Sequence, residues 1–322
     1  MTSSENLSGE NQTISDVFIL VGFSSLKELQ IPLFIVLLVF YLFTLMGNLL
    51  IILLVKLNLS LHTPMYFFLV NLSFLEICFT TSITPQLLAH LLVEEKTITI
   101  NGCAAQLYVI SIMGLTACCL LAAMAYDRYV AICHPLHYTT ILSSRACALL
   151  AGASWIIGIS VAVSQGMWLF SQPFCGSNHI CHYFCHGPSL QKIICTDPWV
   201  NVIFAFSVLV LFVMSPFLLI ILSYARIIAT ILKLPSAEGK QKAFSTCSSH
   251  LTVVTLLYGS ALLSYMKPPS GSAPETDQLV SLMYTAVSPA LNPIIYSLRN
   301  QEVKGAIRNT IAKAIFSHNW QN

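Results

Sequence analysis

Long apolar segments alternate with short polar ones along most of the chain. Seven of these segments contain 20 or more mostly apolar residues, and an α-helix needs about 20 to cross the hydrocarbon core of a bilayer. They are Ile31–Val55, Met65–Val93, Cys103–Tyr126, Ala146–Phe170, Trp199–Ala225, Ala243–Met266 and Leu279–Leu298. Membrane β-strands are only about 10 residues long and alternate in polarity. The pattern therefore predicts an all-α membrane protein, a bundle of seven transmembrane helices.

The composition agrees with this prediction. Of 322 residues, 56% are hydrophobic and 9% are charged, whereas about 25% of the residues in a soluble domain are charged. The net charge of +2 provides no basic field that would attract phosphate. The composition therefore argues against a soluble enzyme, a disordered chain and a nucleic-acid-binding protein.

The basic residues predict the orientation of the bundle. With the N-terminus outside, 11 of the 15 Lys and Arg residues fall in cytoplasmic segments, as the positive-inside rule requires. Glycosylation sequons at Asn6 and Asn11 agree with an extracellular N-terminal tail. The first 26 residues show no cleaved signal peptide, so we expect the first helix to act as a signal anchor.

The chain divides into three predicted parts. These are an extracellular tail of residues 1–25, a seven-helix domain of residues 26–300 and a cytoplasmic tail of residues 301–322. Within the last part, apolar residues recur at every fourth position of Val303–Phe316, and Lys304 and Arg308 lie off that stripe. This spacing predicts a short amphipathic helix on the inner membrane surface, with a cytoplasmic coil as the alternative.

Five of the 11 cysteines lie on the predicted outer side: Cys103, Cys175, Cys181, Cys185 and Cys195. Five cysteines allow 15 arrangements of two bridges, so the residues alone leave the pairing open. The loop from about Ser171 to Pro198 is too long for a simple connector. A bridge from Cys103 into this loop would hold it over the mouth of the bundle as a lid.

The same loop contains a candidate metal site. His179, Cys181, His182, Cys185 and His186 have a spacing that resembles a set of soft-metal ligands. The alternative, which we favour, is a polar loop held by disulfides, in which a bridged Cys185 is lost as a ligand. We accordingly predict no cofactor.

Glu76 is the single acidic residue in the seven segments, and these segments contain no Lys or Arg. Because an ionisable residue is costly inside a membrane, it is a functional candidate. A cation site or a proton relay would need Glu76 to face Asn48 and Asn292. A protonated, hydrogen-bonded Glu76 that serves packing alone is the alternative.

The inner ends of two helices carry further candidates. Asp127, Arg128 and Tyr129 end the third helix, and the charged pair is either an interfacial anchor or a latch that releases when the cytoplasmic face opens. His250 lies two turns into the sixth helix, where a structural hydrogen bond and a switch are both open interpretations.

Prolines interrupt the fifth and seventh helices at Pro216, Pro289 and Pro293. Each proline removes a backbone hydrogen bond, and the resulting kink can serve as a hinge. The spacing of four residues between Pro289 and Pro293 predicts a concentrated irregularity in the seventh helix.

Six motifs occur in an order that resembles the signature set of vertebrate odorant receptors, within the rhodopsin-like G-protein-coupled receptors. They are Gly47-Asn48, Leu61–Tyr66 (LHTPMY), Met124–Cys133 (MAYDRYVAIC), Ser223-Tyr224, Lys240 with Lys242–His250 (KAFSTCSSH), and Pro289–Asn300 (PALNPIIYSLRN). The match runs from about residue 20 to residue 310, and the short outer loops outside the connection of helices 4 and 5 look like the tetrapod (class II) branch.

The resemblance implies an odorant receptor of the plasma membrane that activates a stimulatory, olfactory-type heterotrimeric G protein and raises cAMP. It implies disulfides from Cys103 to Cys185 and from Cys175 to Cys195, which leave Cys181 unpaired. It also implies a set of residues for activation and coupling, in which Arg128 holds the inactive state through Asp127. That set is Asp127, Arg128, Tyr129, Tyr224, Lys242, His250, Asn292, Pro293 and Tyr296.

Two departures from the family pattern affect these expectations. Thr116 is followed by Ala117 where the family usually has an acid, so an intramembrane cation site would rely on Glu76 alone. His186 follows Cys185 where the outer-loop motif usually ends in an acid, which changes any proposal for a metal.

Helical periodicity selects inward faces on helices 3, 5, 6 and 7. With the resemblance, these faces predict a ligand cradle, although packing alone is the alternative. The candidate residues are Tyr108, Ser111, Gly114, Leu115, Val208, Phe212, Tyr258, Leu262, Tyr265 and Thr285. The lining is apolar with a few hydroxyls, so we predict a small, neutral, mostly hydrophobic ligand.

The expected mechanism is a population shift in which the ligand favours an arrangement with the sixth helix moved outward. A transporter of a small solute that uses Glu76 is the alternative from another class, but the seven spans show no paired halves. The motifs of intramembrane enzymes are absent from the sequence, so we do not expect an enzyme.

Overall fold

The computed structural model describes residues 17–24, 26–175, 177–233, 235–265, 274–298 and 303–308. The sequons at Asn6 and Asn11 lie outside these ranges, as does most of the predicted amphipathic helix. Lys242 and Tyr265 lie in a described helix, but their side chains are outside the description.

The chain forms a bundle of long helices in the predicted order. Helix α1 is Gln30–Leu57, α2 is Pro64–Leu92, α3 is Ile100–Cys133 and α4 is Ser144–Phe170. Helix α5 consists of Pro198–Val208, the π-helical Leu209–Met214 and Ser215–Leu232. Helix α6 is Ala237–Tyr265, and α7 consists of Pro274–Leu282, the π-helical Met283–Val287 and Ser288–Leu298. Residues 303–308 form α8, and short helical turns occupy Tyr138–Ile141 and Gly187–Gln191.

Within the described residues, six helices are long and apolar enough to cross a membrane. Helix α6 has a comparable length of 29 residues. Its apolar residues are diluted by Ser, Thr and the buried His250. With α6, the described part of the chain has seven long helices. The fold is that of a seven-helix membrane protein, as predicted.

Helix α3 lies at the centre of the bundle and packs against α2, α4, α5 and α6. Helix α1 packs against α2 and α7. At the contact of α1 with α7, a Cβ atom built on Gly47 would lie 2.8 Å from Cβ of Pro293. Glycine at this position therefore permits the close approach of the two helices.

The predicted irregularities lie just before two of the prolines. The π-helical segments Leu209–Met214 and Met283–Val287 precede Pro216 and Pro289, respectively. A proline cannot donate to the carbonyl four residues earlier and clashes with it, and a wider turn relieves both problems. Pro293 lies inside the α-helical part of α7, and Pro85, which the sequence analysis did not single out, lies inside α2.

A three-stranded sheet covers the end of the bundle at which α1 begins. Strand β1 (Val17–Leu20) lies between β2 (Thr97–Thr99) and β3 (His179–Ile180). It pairs antiparallel with β2 and parallel with β3. The segment that precedes α1 is therefore part of the same layer as the loop between α4 and α5.

Candidate functional site

The loop of residues 171–197 forms the predicted lid. Disulfides join Cys103 of α3 to Cys185 and Cys175 to Cys195, each pair with a Cα–Cα distance of 5.4 Å. These are the pairs that the family resemblance implies. Cys181 is exposed and has a free thiol.

Gln106 of α3 fixes the lid beside the first disulfide. Its Oε1 accepts a hydrogen bond of 2.8 Å from the backbone N–H of Cys185, and its Nε2 donates 2.8 Å to the carbonyl of Ser82 and 2.9 Å to Gln86. Ser82 and Gln86 flank the proline in α2. One buried amide thus connects the lid, α2 and α3.

The lid also reaches α7. Nε2 of His182 lies 3.2 Å from Oγ of Ser281, and the hydroxyl of Tyr183 lies 2.8 Å from Oγ1 of Thr285. The Thr285 hydroxyl donates its proton to the carbonyl of Ser281 at 2.9 Å, so the Tyr183 hydroxyl is the donor of the bond to Thr285. Burial raises the pKa of Tyr183, which keeps that donor protonated. Thr285, predicted to contact a ligand, is thus already engaged by the lid.

Three of the predicted cradle residues lie together on the other side of the bundle. Leu115, Val208 and Phe212 belong to one apolar cluster between α3, α4 and α5. Ser111, one turn above Leu115, is half-buried. A Cβ atom built on Gly114 would meet nothing within 4 Å, so open space lies beside α3 at this level.

Tyr258 of α6 contacts both α5 and α3 near this region. Its ring is buried and lies 4.6 Å from the ring of Phe217 on α5, and its hydroxyl faces the Cys118 thiol of α3. Leu262, one turn further out, is half-buried. Of Tyr265, only the backbone is described.

Tyr108 points from α3 to α4, where its ring lies directly on Gly166. A methyl group at Gly166 would collide with that ring, so the pair is a packing contact. We use the name candidate cradle for the remaining predicted residues on α3, α5 and α6. They are Ser111, Gly114, Leu115, Val208, Phe212, Tyr258 and Leu262.

The structure does not assemble the candidate metal ligands. The rings of His182 and His186 lie 4.6 Å apart, but His179 and Cys181 are exposed on the lid surface, and Cys185 is in a disulfide. No group of three or more His, Cys, Asp or Glu side chains in the described part of the chain could hold a metal ion.

Burial lowers the pKa of His186 to about 4 and that of His182 well below its usual value. The neighbouring His186 lowers the pKa of His182 further, whereas Asp277 raises and Lys192 lowers that of His186. Both imidazoles are therefore neutral at pH 7, as parts of a packed lid.

Glu76 lies where the sequence analysis places it, between α1 and α7. Asn292 donates a short hydrogen bond to its Oε1, and Asn48 is a second hydrogen-bonding neighbour. Glu76 Oε2 and Asn292 Oδ1 have no hydrogen-bond partner among the described residues. Ala117 on α3 supplies no further oxygen at this level.

The C-terminal end of α3 carries the charged pair. Nη2 of Arg128 lies 3.1 Å from Oδ2 of Asp127, whose side chain is fully buried. Tyr138, in the short turn after α3, donates a hydrogen bond of 2.7 Å to Oδ1 of Asp127. Burial and the adjacent Asp127 carboxylate raise the pKa of Tyr138, so it remains a donor.

Other predicted activation residues lie around this pair. His250 of α6 contacts Tyr224 of α5 and the backbone of α3, and the buried Tyr296 of α7 packs in the same core cluster as Tyr224. Tyr129 packs against the same cluster and lies 3.1 Å from Nε2 of His134. The structure therefore brings together these residues of the predicted set, whereas Asn292 bonds to Glu76 and Pro293 lies against Gly47.

The sequence analysis missed several residues of the site. Tyr138 was missed because it follows Asp127 by 11 residues and no periodicity links a loop residue to a helix end. Phe23 and Lys96 were missed because their partners lie in other segments of the chain, whereas Gln278 shares the inward face that periodicity selects on α7 with Thr285. Among these residues Lys96 is unusual because a lysine is rarely buried. Its burial is visible in the fold but not in the sequence.

Comparisons with known proteins agree with this geometry. Residues 37–314 match the family model described as olfactory receptor. The chain is 54% identical to olfactory receptor 10A5 of Homo sapiens over 96% of this chain and 98% of that protein. It is 50% identical to olfactory receptor 10A3 of Homo sapiens over 97% and 99%, respectively. Squid rhodopsin shares the fold with a TM-score of 0.66 at 18% identity, covering 90% of this chain and 87% of that chain.

Proposed function

We propose, from the premise that this chain belongs to the olfactory receptor family, that it binds a small, neutral, mostly hydrophobic volatile ligand and activates a stimulatory heterotrimeric G protein that raises cAMP. Members of the family are G-protein-coupled odorant receptors and not enzymes. The predicted receptor class is therefore confirmed, and the transporter alternative is not carried further. The chain is a multi-pass membrane protein.

The chemistry of the candidate cradle, called the odorant cradle from here on, supports a neutral ligand. Its described side chains are apolar apart from the hydroxyls of Ser111 and Tyr258, so a charged ligand would be left without a counter-ion. Gly114, which has open space beside it, lies on α3 between Ser111 and Cys118, the residue that the Tyr258 hydroxyl faces. Ser111 and Tyr258 are the proposed polar contacts, and Leu115, Val208 and Phe212 the apolar ones.

The observation that carries the coupling proposal is the closed arrangement around Arg128. Its guanidinium is held by Asp127, which is held in turn by Tyr138, while His250 keeps α6 against α3. A ligand that binds better when α6 lies further out would release these contacts and shift the population to the open form. Arg128 and the basic start of α6, with Lys240 and Lys242, would then meet the G protein.

The disulfides support an extracellular N-terminus at the plasma membrane. Both bridges lie at the same end of the bundle as β1, and disulfides persist in oxidising compartments. This placement agrees with the positive-inside count. Residues 1–25 are then an extracellular tail with glycosylation at Asn6 and Asn11, residues 26–300 the receptor domain, and residues 301–322 the cytoplasmic tail.

Glu76 is the proposed site of an intramembrane cation or proton. Oε2 of Glu76 and Oδ1 of Asn292 accept no hydrogen bond from the described residues and could bind a cation or a proton. With Ala117 in place of an acid, the site has one carboxylate, so sodium would be held weakly.

The test is cAMP accumulation in cells that express the chain with an olfactory-type stimulatory G protein, against a panel of volatile odorants. The Arg128→Ala variant is run alongside, with surface amounts matched. A dose-dependent rise in the parent that is lost in the variant is the expected result. A well-expressed parent with neither an odorant response nor an Arg128-dependent basal signal would contradict the proposal.

A further inference from the structure

Phe23, in the segment before α1, is inserted deep into the outer end of the bundle. Its ring is 1% exposed and stacks on the ring of Tyr183 with a centroid distance of 5.4 Å and an interplanar angle of 20°. The two rings pack in one cluster with apolar residues of α1, α2 and α7. These include Leu37, Ile83, Leu87, Leu282 and Ala286.

The backbone at Phe23 adopts a conformation that is rare for residues other than glycine. Phe23 has a φ of 51°, and it is the only residue other than glycine with a positive φ in the described ranges. This region disfavours residues with a side chain. The preceding Gly22 passes so close to the lid that a Cβ atom on it would lie 2.5 Å from Cβ of Tyr183. The chain is therefore bent into a hook against Tyr183.

Two buried polar side chains hold the hook from opposite sides. Lys96, which is 6% exposed, donates 2.8 Å to the carbonyl of Gly22 and 3.2 Å to Ser24. Gln278 of α7, which is 3% exposed, accepts 2.8 Å from the N–H of Phe23. Burial and the nearby Lys27 lower the pKa of Lys96. The acceptors of Lys96 are neutral, so the lysine is used to hold the backbone and not to pair a charge.

The ring held by the hook is the one that bonds to α7. Tyr183 presents one face to Phe23 and its hydroxyl to Thr285 in the π-helical segment of α7. The hook, the lid and α7 thus form a continuous chain of contacts over the side of the bundle formed by α1, α2 and α7. The odorant cradle is formed by residues of α3, α5 and α6, and none of these residues belongs to the cluster beneath the hook.

We propose that Phe23 is a positioning residue that seats Tyr183 on Thr285, and that this contact closes the α1–α2–α7 side of the bundle and confines ligands to the odorant cradle. Lys96 and Gln278 serve the same position by fixing the backbone of the hook. The inference rests on the proposed topology, with this end of the bundle outside the cell, but not on the identity of the ligand or of the G protein.

Thiol labelling on intact cells tests the inference without a ligand. The probe is a membrane-impermeant methanethiosulfonate, and the reporter is Ala286→Cys, a buried position of α7 in the cluster beneath Tyr183. The reporter is placed in a Cys181→Ser background, because the exposed Cys181 thiol would react first. The parent without either change serves to test the topology, since Cys181 itself must then be labelled.

Phe23→Ala is expected to increase the labelling rate of the reporter about tenfold, as the loss of one buried aromatic contact from a closed state would. The matched control is Phe18→Ala, which removes an equally buried ring (3% exposed) from β1. Phe18 packs on Phe174 and the disulfide cluster, not on Tyr183, so its loss should leave the rate unchanged. Thr285→Val should also increase the rate, and combining it with Phe23→Ala should add little.

The labelling rates of these variants decide whether the inference holds. A parental rate in Phe23→Ala, or an equal increase in Phe18→Ala, overturns the inference. If Phe23→Ala does not reach the cell surface, the Gln278→Leu variant is used in its place. This change removes the hydrogen bond to the hook without removing a side chain from the core. An unchanged labelling rate in Gln278→Leu also overturns the inference. If Cys181 of the parent is not labelled, the proposed topology is wrong and the inference fails with it. If Cys181 is labelled but Phe23→Ala has no effect on the reporter, the inference alone is wrong.

Discussion

The hydroxyl of Tyr224 on α5 donates a hydrogen bond of 2.8 Å to Nδ1 of His250 on α6. Nε2 of the same imidazole lies 3.1 Å from the carbonyl oxygen of Leu121 on α3. A carbonyl can only accept, so Nε2 carries the proton. The imidazole is then neutral, as its complete burial favours. One side chain therefore ties α6 to both α3 and α5.

Removal of this tie should favour the open form. His250→Phe is expected to raise basal cAMP about fivefold at matched surface amount, because roughly 1 kcal/mol of net hydrogen bonding is lost from the closed form. Ser248→Ala is the control on the same helix, since that hydroxyl bonds within its own helix to the carbonyl of Ser245. A basal signal in His250→Phe that equals or falls below the parent's would contradict this assignment.

Tyr138→Phe should destabilise the closed receptor. It removes the donor to the fully buried Asp127 carboxylate, and a hydrogen bond to a charged group contributes about 1.5–3 kcal/mol. We expect the Tm of the purified receptor to fall by about 5 °C, measured by thermal unfolding in detergent. The control is Thr140→Ala, which changes an exposed residue in the same turn and should leave the Tm unchanged. A Tm for Tyr138→Phe equal to that of the parent would rule out a stabilising role for the Tyr138 hydroxyl.

Gly114→Val should separate ligand binding from folding. The added side chain enters open space, so the surface amount should match the parent's. The EC50 for an odorant that activates the parent should rise by about tenfold or more, because the cradle loses volume. In contrast, Gly158→Ala should lower the surface amount, since its methyl group would meet Thr116 of α3. An unchanged odorant response in Gly114→Val would place the ligand elsewhere.

The lid should make the receptor less stable in acid. Burial lowers the pKa of His186 to about 4 from an ordinary 6.5, so between these values the unfolded chain binds a proton that the folded lid does not. The free energy of unfolding therefore falls as the pH drops through this window and is retained above pH 6.5.

A Tm series from pH 7.5 to pH 5 in detergent measures this effect, and we expect a fall of about 3 °C, which corresponds to roughly 1 kcal/mol at this size. His186→Asn should reduce the slope of the series, and the slope that remains is expected from His182, whose pKa is also lowered by burial. His179→Asn should not, because His179 is exposed on the same loop. Identical slopes for the parent and His186→Asn would show that another group is responsible.

The sequence predicts most of the helical framework because the bilayer demands continuous apolar length. It also predicts irregular segments in α5 and α7, because proline chemistry is local. The hydrogen bond from Tyr138 to Asp127 and the hook at Phe23 have no local pattern. They depend on how helices and loops meet in space, and that is set by packing.

The candidate site shows the same division. Periodicity identifies Leu115 and Val208 as inward residues, and the fold places them in one cluster. Periodicity also selects Thr285 correctly as inward, but it cannot show that Tyr183 of a distant loop engages that hydroxyl. The histidine spacing of the lid suggests a metal site, whereas the fold buries His182 and exposes His179.

The three-stranded sheet has a consequence for biosynthesis. Strand β1 is synthesised first, yet its neighbour β3 follows about 160 residues later: Ile19 pairs with His179. During translation β2 becomes available to one edge of β1 after two helices, whereas the backbone groups on the other edge stay unpaired until four helices and the loop after the fourth have been made. Contacts between such distant segments form late. The sheet is therefore completed only after the fourth helix, and a substitution in the lid leaves the start of the chain without its partner strand as well.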